Sequence, residues 1–220
     1  MKIALLSDTH CAVHEIAVPP VDLLLHAGDW TFRGTAQEVE TFFKDIAAKG
    51  AKRTVVIAGN HDWLAQKDPE RVRAIAKVFG IDYLCDESVV VDGIKIYGSP
   101  WQPEFCDWAF NLPRETTELA EKWAAIPEDT EILITHGPPL GILDMTLSRN
   151  GRPREAVGCA DLMARVLTLP ALKLHVFGHI HPGYGVYQKD GGKGPVFVNA
   201  SNMDESYDPV NPCVVMDWPL

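Results

Sequence analysis

The chain has 220 residues, 46% hydrophobic and 23% charged, with 30 acidic against 20 basic side chains and a net charge of −10. That acidity disfavours a broad footprint for long nucleic acid or an anionic membrane surface, and the length suits one domain spanning 1–220. No apolar run approaches the roughly 20 residues of a membrane span, and Asp8 and His10 follow Met1 to Leu6 too soon for a signal peptide, so a cytoplasmic protein is expected. Cys11, Cys85, Cys106, Cys159 and Cys213 are scattered without a CxxC pair and read as reduced thiols.

Lys2 to Ser7 is a short run rich in Ile and Leu, too brief for a helix and suited to an interior strand. Asp8-Thr9-His10 follows it. In extended chain an i, i+2 spacing puts the carboxylate and the imidazole on one face, where both can reach the same ion. A second apolar run, Val21 to Leu25, leads to His26-Ala27-Gly28-Asp29, whose glycine lets the backbone approach an ion at Asp29. Thr35 to Lys49 has apolar residues at Val39, Phe42, Phe43 and Ile46, a helical spacing that Gly50 ends. The β-branched run Thr54 to Ala58 then delivers Gly59-Asn60-His61-Asp62. There the Asn60 amide oxygen can ligate a metal without adding charge, His61 can donate a proton, and Asp62 is available to orient its ring.

Asp68-Pro69-Glu70 opens a helix that runs through Val72, Ile75, Ala76 and Phe79 to Gly80. Ile81 to Leu84 and Val89 to Tyr97 read as short strands, the latter with a tight turn at Asp92-Gly93. Gly98 to Leu112 is irregular, and its aromatic residues Trp101, Phe105, Trp108 and Phe110 are expected to hold the loop down against one another. Pro113 to Ala125 is a third helix. Glu131 to Thr135 is a fourth apolar run, ending in His136-Gly137-Pro138-Pro139, where the prolines fix the loop. Gly141 to Gly158 is polar and reads as a solvated surface loop, with Arg149, Arg152 and Arg154 as the residues that could gather a substrate phosphate. Cys159 to Leu169 has helical spacing. Leu172 to Phe177 ends in Gly178-His179-Ile180-His181, two histidines at i, i+2 that packing alone does not explain. Tyr184 to Tyr187, Pro195 to Asn199 and Cys213 to Asp217 are expected to be antiparallel strands closing a second sheet.

Five of the eight histidines, His10, His61, His136, His179 and His181, stand directly after apolar runs. The carboxyl ends of strands are where open α/β sheets collect their ligands. His14, His26 and His175 do not join that set and read as structural. Imidazole, carboxylate and amide oxygen without thiolate suit divalent manganese, iron, nickel or zinc better than calcium or magnesium. Asp8, His10, Asp29, Asn60, His136, His179 and His181 are too many ligands for one ion. Two ions about 3.5 to 4 Å apart, sharing one carboxylate, would use them all.

The ordered set Asp-x-His, Gly-Asp, Gly-Asn-His-Asp, His and Gly-His-x-His, from Asp8 to His181, resembles the calcineurin-like metallophosphoesterase superfamily. The segments Leu24 to Asp29, Gly98 to Trp101, Thr135 to Pro139 and Lys173 to Gly178 look like the brain metallophosphoesterase-domain branch and its bacterial relatives, a phosphodiesterase group. The resemblance implies an α/β fold, a metallophosphoesterase-type αββα sandwich of two mixed β-sheets flanked by helices. It implies that Asp8, His10 and His181 bind one metal and Asn60, His136 and His179 the other, that Asp29 bridges them, and that His61 is the general acid. Many superfamily phosphatases follow the Gly-Asp with an acidic residue and Arg-Gly; Gly28-Asp29-Trp30-Thr31-Phe32-Arg33-Gly34 lacks that acid, which argues against a protein-phosphatase substrate range. The expected activity is hydrolysis of a small phosphodiester such as a cyclic nucleotide by a water activated between two ions, manganese preferred. A phosphomonoesterase, or a metal-binding scaffold without turnover, is the alternative.

Overall fold

Strands that are apolar on both faces belong inside a layered α/β protein. A computed structural model describes residues 1–148, 153–189, 192 and 194–219. Its strands are β1 (Lys2–Leu6), β2 (Leu23–His26), β3 (Arg53–Ile57), β4 (Asp82–Leu84), β5 (Glu87–Val91), β6 (Ile94–Ser99), β7 (Gln102–Pro103), β8 (Asn111–Leu112), β9 (Ile132–Thr135), β10 (Leu174–Phe177), β11 (Gly185–Gln188), β12 (Val196–Asn199) and β13 (Val214–Asp217). The helices are α1 (Ala36–Ala47), α2 (Trp63–Lys67), α3 (Pro69–Val78), α4 (Thr117–Ala124) and α5 (Ala160–Val166). Among the described residues no helix is long and apolar enough to cross a membrane.

Two sheets carry the architecture, one ordered β13-β1-β2-β3-β4 and the other β11-β12-β10-β9-β6-β5. Strands β1 to β4 are parallel to one another, as are β6, β9, β10 and β12, and antiparallel strands lie at one edge of the first sheet, β13, and at both edges of the second, β11 and β5. Alternation along each strand then sorts the side chains. Ile3, Leu5, Leu23, Leu25, Val55 and Ile57 of the first sheet meet Ile96, Ile132, Ile134, Leu174, Val176 and Val198 of the second in a shared core. The opposite face of the first sheet packs Ala4, Leu6, Leu24 and Val56 against Val39, Phe42, Phe43 and Ile46 of α1 and Val72 and Ala76 of α3. Tyr97, Leu133, Phe177 and Phe197 do the same on the second sheet against Leu119 and Trp123 of α4 and Leu162 and Val166 of α5. These three apolar layers make the αββα sandwich that was expected.

The helices begin where polar caps allow. Thr35 and Glu38 close a reciprocal capping box on α1, Asp68 caps α3, and Thr116 caps α4. That last cap is why the third predicted helix starts at Thr117 and not at Pro113. Asp92 and Gly93, both at positive φ, make the hairpin turn between β5 and β6. Two sequence expectations are corrected. Strand β12 pairs antiparallel with β11 as expected but lies parallel to β10 on its other side, and β13 closes the first sheet, not the second, by pairing antiparallel with β1. The β1 edge would otherwise be open, and the half-exposed alternation of β13 suits an edge strand.

Candidate metal centre

Parallel strands in both sheets point their carboxyl ends the same way, so the loops after β1, β2, β3, β9 and β10 meet at one rim. Asp8 and His10 follow β1, Asp29 follows β2, Asn60 and His61 follow β3, His136 follows β9, and His179 and His181 follow β10. Asp8, His10, Asp29 and His179 all take the left-handed conformation, with φ of 50°, 38°, 55° and 66°, a local strain typical of residues held for a purpose. Gly178 is required by contact: a Cβ there would run into the Asp8 carboxylate and the Ser7 hydroxyl. The backbone of one candidate-ligand loop thus rests on the candidate ligand of another.

The imidazoles are held in one sense. Nδ1 of His10, His136, His181 and His61 lies 3.2, 2.9, 2.8 and 2.9 Å from the carbonyl oxygens of Thr31, Ala27, Asp204 and Phe32. A carbonyl only accepts, so each Nδ1 carries a proton and each Nε2 is turned to the interior, the usual second-layer arrangement of metal-binding histidines. His181 Nε2 is 3.5 Å from Asp8 Oδ1, and His136 and His10 Nε2 are 3.4 and 3.8 Å from Asp29 Oδ2. The Asn60 amide oxygen is 2.9 Å from His136 Nε2. Asp8 also accepts from the His179 N–H and, at 2.8 Å, from the Ser201 hydroxyl. The His179 ring lies beside that of His136 with centroids 5.1 Å apart. All seven expected ligands and His61 are therefore drawn together.

The donor set fits a divalent cation on the structure's own terms. His10 Nε2 is buried without a hydrogen-bond partner. The triads Asp8–His10–His181, His10–Asp29–His61 and Asp8–Asp29–His136 each offer ligand atoms within 4.8 Å of one another. The charge balance asks for cations too. Burial opposes ionisation of Asp8 and Asp29, yet the His181 and His136 rings hold both carboxyls below the usual range. Burial likewise opposes charge on His136 and His181, but Asp29 and Asp8 lift them to about 9. Burial pushes His10 down to about 4 and His179 to about 3. Without metal, the two carboxylates thus recruit protons onto neighbouring imidazoles.

The expectation that Asp62 orients the His61 ring is corrected. His61 is held by the Phe32 carbonyl, while Asp62 is fully buried and faces the backbone around Asp29. Its Oδ2 accepts from the N–H groups of Gly59, Asp29 and Trp30 at 2.7, 3.0 and 3.4 Å, and its Oδ1 from the Thr31 N–H and hydroxyl at 3.0 and 2.7 Å. Burial and the Asp29 charge push its carboxyl up to about 7 against the pull of those bonds. Asp62 is a clamp that ties the Asp29 loop to the Asn60 loop.

A cavity of about 320 Å³ opens beside the cluster, with Asp29, Asn60, His61, His179 and His181 on one side. Phe105, Trp108 and Tyr207 supply aromatic surface, and Glu104, Arg114 and Glu205 polar groups. The aromatic loop divides its labour: Trp101 and Phe110 pack together as expected, while Phe105 and Trp108 face the cavity. Arg149 and Arg152 lie outside the described residues, and Arg154 is exposed. Among the described residues the basic side chain lining the cavity is Arg114, which donates to the carbonyls of Val157 and Gly158 at 2.7 and 3.1 Å. Sequence reasoning missed Arg114, Ser201 and Tyr207. Tyr207 sits over the cluster, its ring 4.8 Å from His10 and 5.5 Å from His181, and only its place a few residues after the apolar strand β12 hinted at the rim.

The family model described as calcineurin-like phosphoesterase matches residues 1–183. Human metallophosphoesterase domain-containing protein 1 is 42% identical over 97% of this chain and 69% of its own length. UPF0046 protein T07D4.2 of Caenorhabditis elegans is 36% identical over 96% of this chain and 58% of its own. The crystal structure of TT1561 of Thermus thermophilus shares the fold with a TM-score of 0.61 and 14% identity, covering 98% of both chains.

Proposed function

Given that the chain belongs to the calcineurin-like phosphoesterase family, and is at that level a metal-dependent phosphoesterase, we propose that it is a dinuclear phosphodiesterase acting on small diesters such as cyclic nucleotides. The observation that carries this reading is the cavity beside the ligand cluster, whose aromatic surface from Phe105, Trp108 and Tyr207 suits a flat organic substituent. Asp8, His10 and His181 would hold one ion and Asn60, His136 and His179 the second, with Asp29 between them; manganese is preferred. Bound there, two divalent cations supply Lewis acidity at phosphorus and a nucleophile from water at neutral pH.

The chain supplies the rest. Carbonyls of Thr31, Ala27 and Asp204 fix the ligand rings, Asp62 holds the Asp29 and Asn60 loops in register, and Ser201 steadies Asp8. The Phe32 carbonyl accepts a hydrogen bond from Nδ1–H of His61, which leaves Nε2 as the nitrogen that, protonated in the imidazolium form, gives its proton to the departing oxygen. Two nitrogens of Arg114 are already bound to backbone carbonyls, which weighs against a grip on a dianionic monoester. A single domain over 1–220 is part of the proposal, supported by β13 completing the sheet that β1 begins.

The test is hydrolysis of bis-p-nitrophenyl phosphate beside p-nitrophenyl phosphate, on metal-stripped protein given manganese, nickel, zinc or magnesium in turn. Metal-restored turnover favouring the diester is expected. Preference for the monoester would move the reading to a phosphomonoesterase, and no turnover in protein shown to bind two ions would leave a metal-binding scaffold.

A further inference from the structure

Proton donation in line with a leaving group needs a ring whose plane is fixed, and His61 does not fix its own. The χ2 torsion of histidine is broad, so a single hydrogen bond, Nδ1–H to the Phe32 carbonyl at 2.9 Å, anchors one atom and leaves the ring free to tilt about it. The Asp62 carboxylate is spent on the backbone. What covers the face of the ring is Trp108, stacked with centroids 4.1 Å apart and planes 28° from parallel. His10 meets its edge, 4.7 Å away at 81°.

The indole is itself tethered to the turn that carries His61. The Ala109 N–H donates to the Asn60 carbonyl at 3.1 Å, and the Phe110 N–H to Gln66 Oε1 at 3.0 Å, so the loop is tied on both sides of His61 in the sequence. Strands β7 and β8 close the base of that loop, and Asn111 Nδ2 donates to the carbonyls of Phe105 and Cys106 across it. Trp108 therefore arrives at the His61 ring on a scaffold built from the ring's own neighbours.

We infer that Trp108 is the positioning residue of the proton donor: its stacked indole sets the plane of His61, and so the line from Nε2 to the departing oxygen. This rests on His61 giving that proton. Trp108 forms no bond to the reacting atoms, and its effect passes through His61.

The experiment measures kcat and KM on aryl phosphodiesters whose leaving groups run from dinitrophenol to unsubstituted phenol. The proteins are wild type, Trp108→Ala, Trp108→Phe, His61→Ala and the double variant Trp108→Ala/His61→Ala, each fully loaded with manganese. Misplacement of a catalytic group by about 1 Å is worth roughly 100-fold, so Trp108→Ala should lose about 10- to 100-fold in kcat on the phenyl ester and much less on the dinitrophenyl ester. Trp108→Phe, which keeps a stacking ring, should recover most of that loss, and Trp108→Ala should add nothing on top of His61→Ala. A merely structural or substrate-contacting tryptophan would instead raise KM, or lower kcat, equally along the series. A flat Trp108→Ala series beside a leaving-group-dependent His61→Ala overturns the role of Trp108 alone, as does additivity in the double variant or a Trp108→Phe as impaired as Trp108→Ala. A flat His61→Ala series overturns the proton-donor reading and this one with it.

Discussion

Replacing Asp62 by Asn separates two roles that the Asn-His-Asp sequence alone leaves tangled. An amide offers one acceptor where the carboxylate offered two. If the oxygen turns to the Gly59, Asp29 and Trp30 amides, the new NH2 faces Thr31. The Thr31 hydroxyl can rotate to accept, but the Thr31 N–H cannot, and it is left buried and unpaired. One orphaned amide should cost about 1 to 3 kcal/mol, with the loss of charge-assisted bonds offset by relief of the burial and the Asp29 repulsion that oppose the Asp62 charge. Asp62→Ala orphans all four amides and should cost at least about 4 kcal/mol, a large share of a typical stability. The assay is urea unfolding of metal-free protein, followed by metal content and kinetics of the folded variant. Because the clamp acts on the Asp29 and Asn60 loops, Asp62→Asn should weaken metal retention and lower turnover alike on good and poor leaving groups. Unchanged stability, with a loss confined to poor leaving groups, would refute the clamp and return Asp62 to orienting His61.

His61→Ala should keep both ions and lose turnover mainly on esters with poor leaving groups, by about 100-fold or more; equal loss across leaving groups would contradict its role. Gly178→Ala should drive the Asp8 carboxylate from its place, and elemental analysis should then find substoichiometric metal in a folded protein. Metal binding near pH 7.5 should release protons, because His136 and His181, lifted to about 9 in the metal-free cluster, must give them up to bind. Titration calorimetry in buffers of different ionisation enthalpy reads that release directly. By the same linkage, these two raised values give the metal-free protein stability that is fully present below about pH 6.5 and lost as pH rises through about 9. Urea unfolding of the stripped protein across that window checks the sign.

The candidate ligands were legible because each is a local event: an apolar run, then a polar residue that a strand end would expose. The regularity of Asp8, Asp29, Asn60, His136 and His179 after successive runs needed no knowledge of which strands pair. What depends on distant partners was not legible. Nothing beside Asp62 in the sequence shows that its donors are Asp29 to Thr31, some thirty residues earlier, so the nearer His61 looked like its partner. Strand β13 has the alternation of any half-exposed strand, and only the free edge of β1 decides where it goes. The aromatic loop gave its composition but not its division, since Trp108 turns to the cavity while Phe110, two residues on, is buried in the core. Short α2, at five residues, carries too little periodicity to announce itself.

The site and the surface carry opposite charge, and the contrast bears on which ester is turned over. Two divalent ions would bring +4 against −2 from Asp8 and Asp29, while the imidazoles and the Asn60 amide add nothing. The chain as a whole is acidic, at a net −10, but exposed charges are screened beyond about 8 Å at physiological salt. The charges that count are therefore those at the cavity, where Glu104 and Glu205 stand with Arg114. A diester brings one negative charge, which the cation pair absorbs. A monoester dianion brings twice that charge, so the two glutamates repel it about twice as strongly, and a nucleoside polyphosphate exceeds the +2 that the site offers. Glu104→Gln and Glu205→Gln together should thus raise kcat/KM for p-nitrophenyl phosphate by about two- to fivefold, the scale of exposed ion pairs, and narrow the preference for the diester. The effect should fade as salt is added. A ratio that stays fixed in the double variant at low salt would place the discrimination in the shape of the aromatic surface around Phe105, Trp108 and Tyr207.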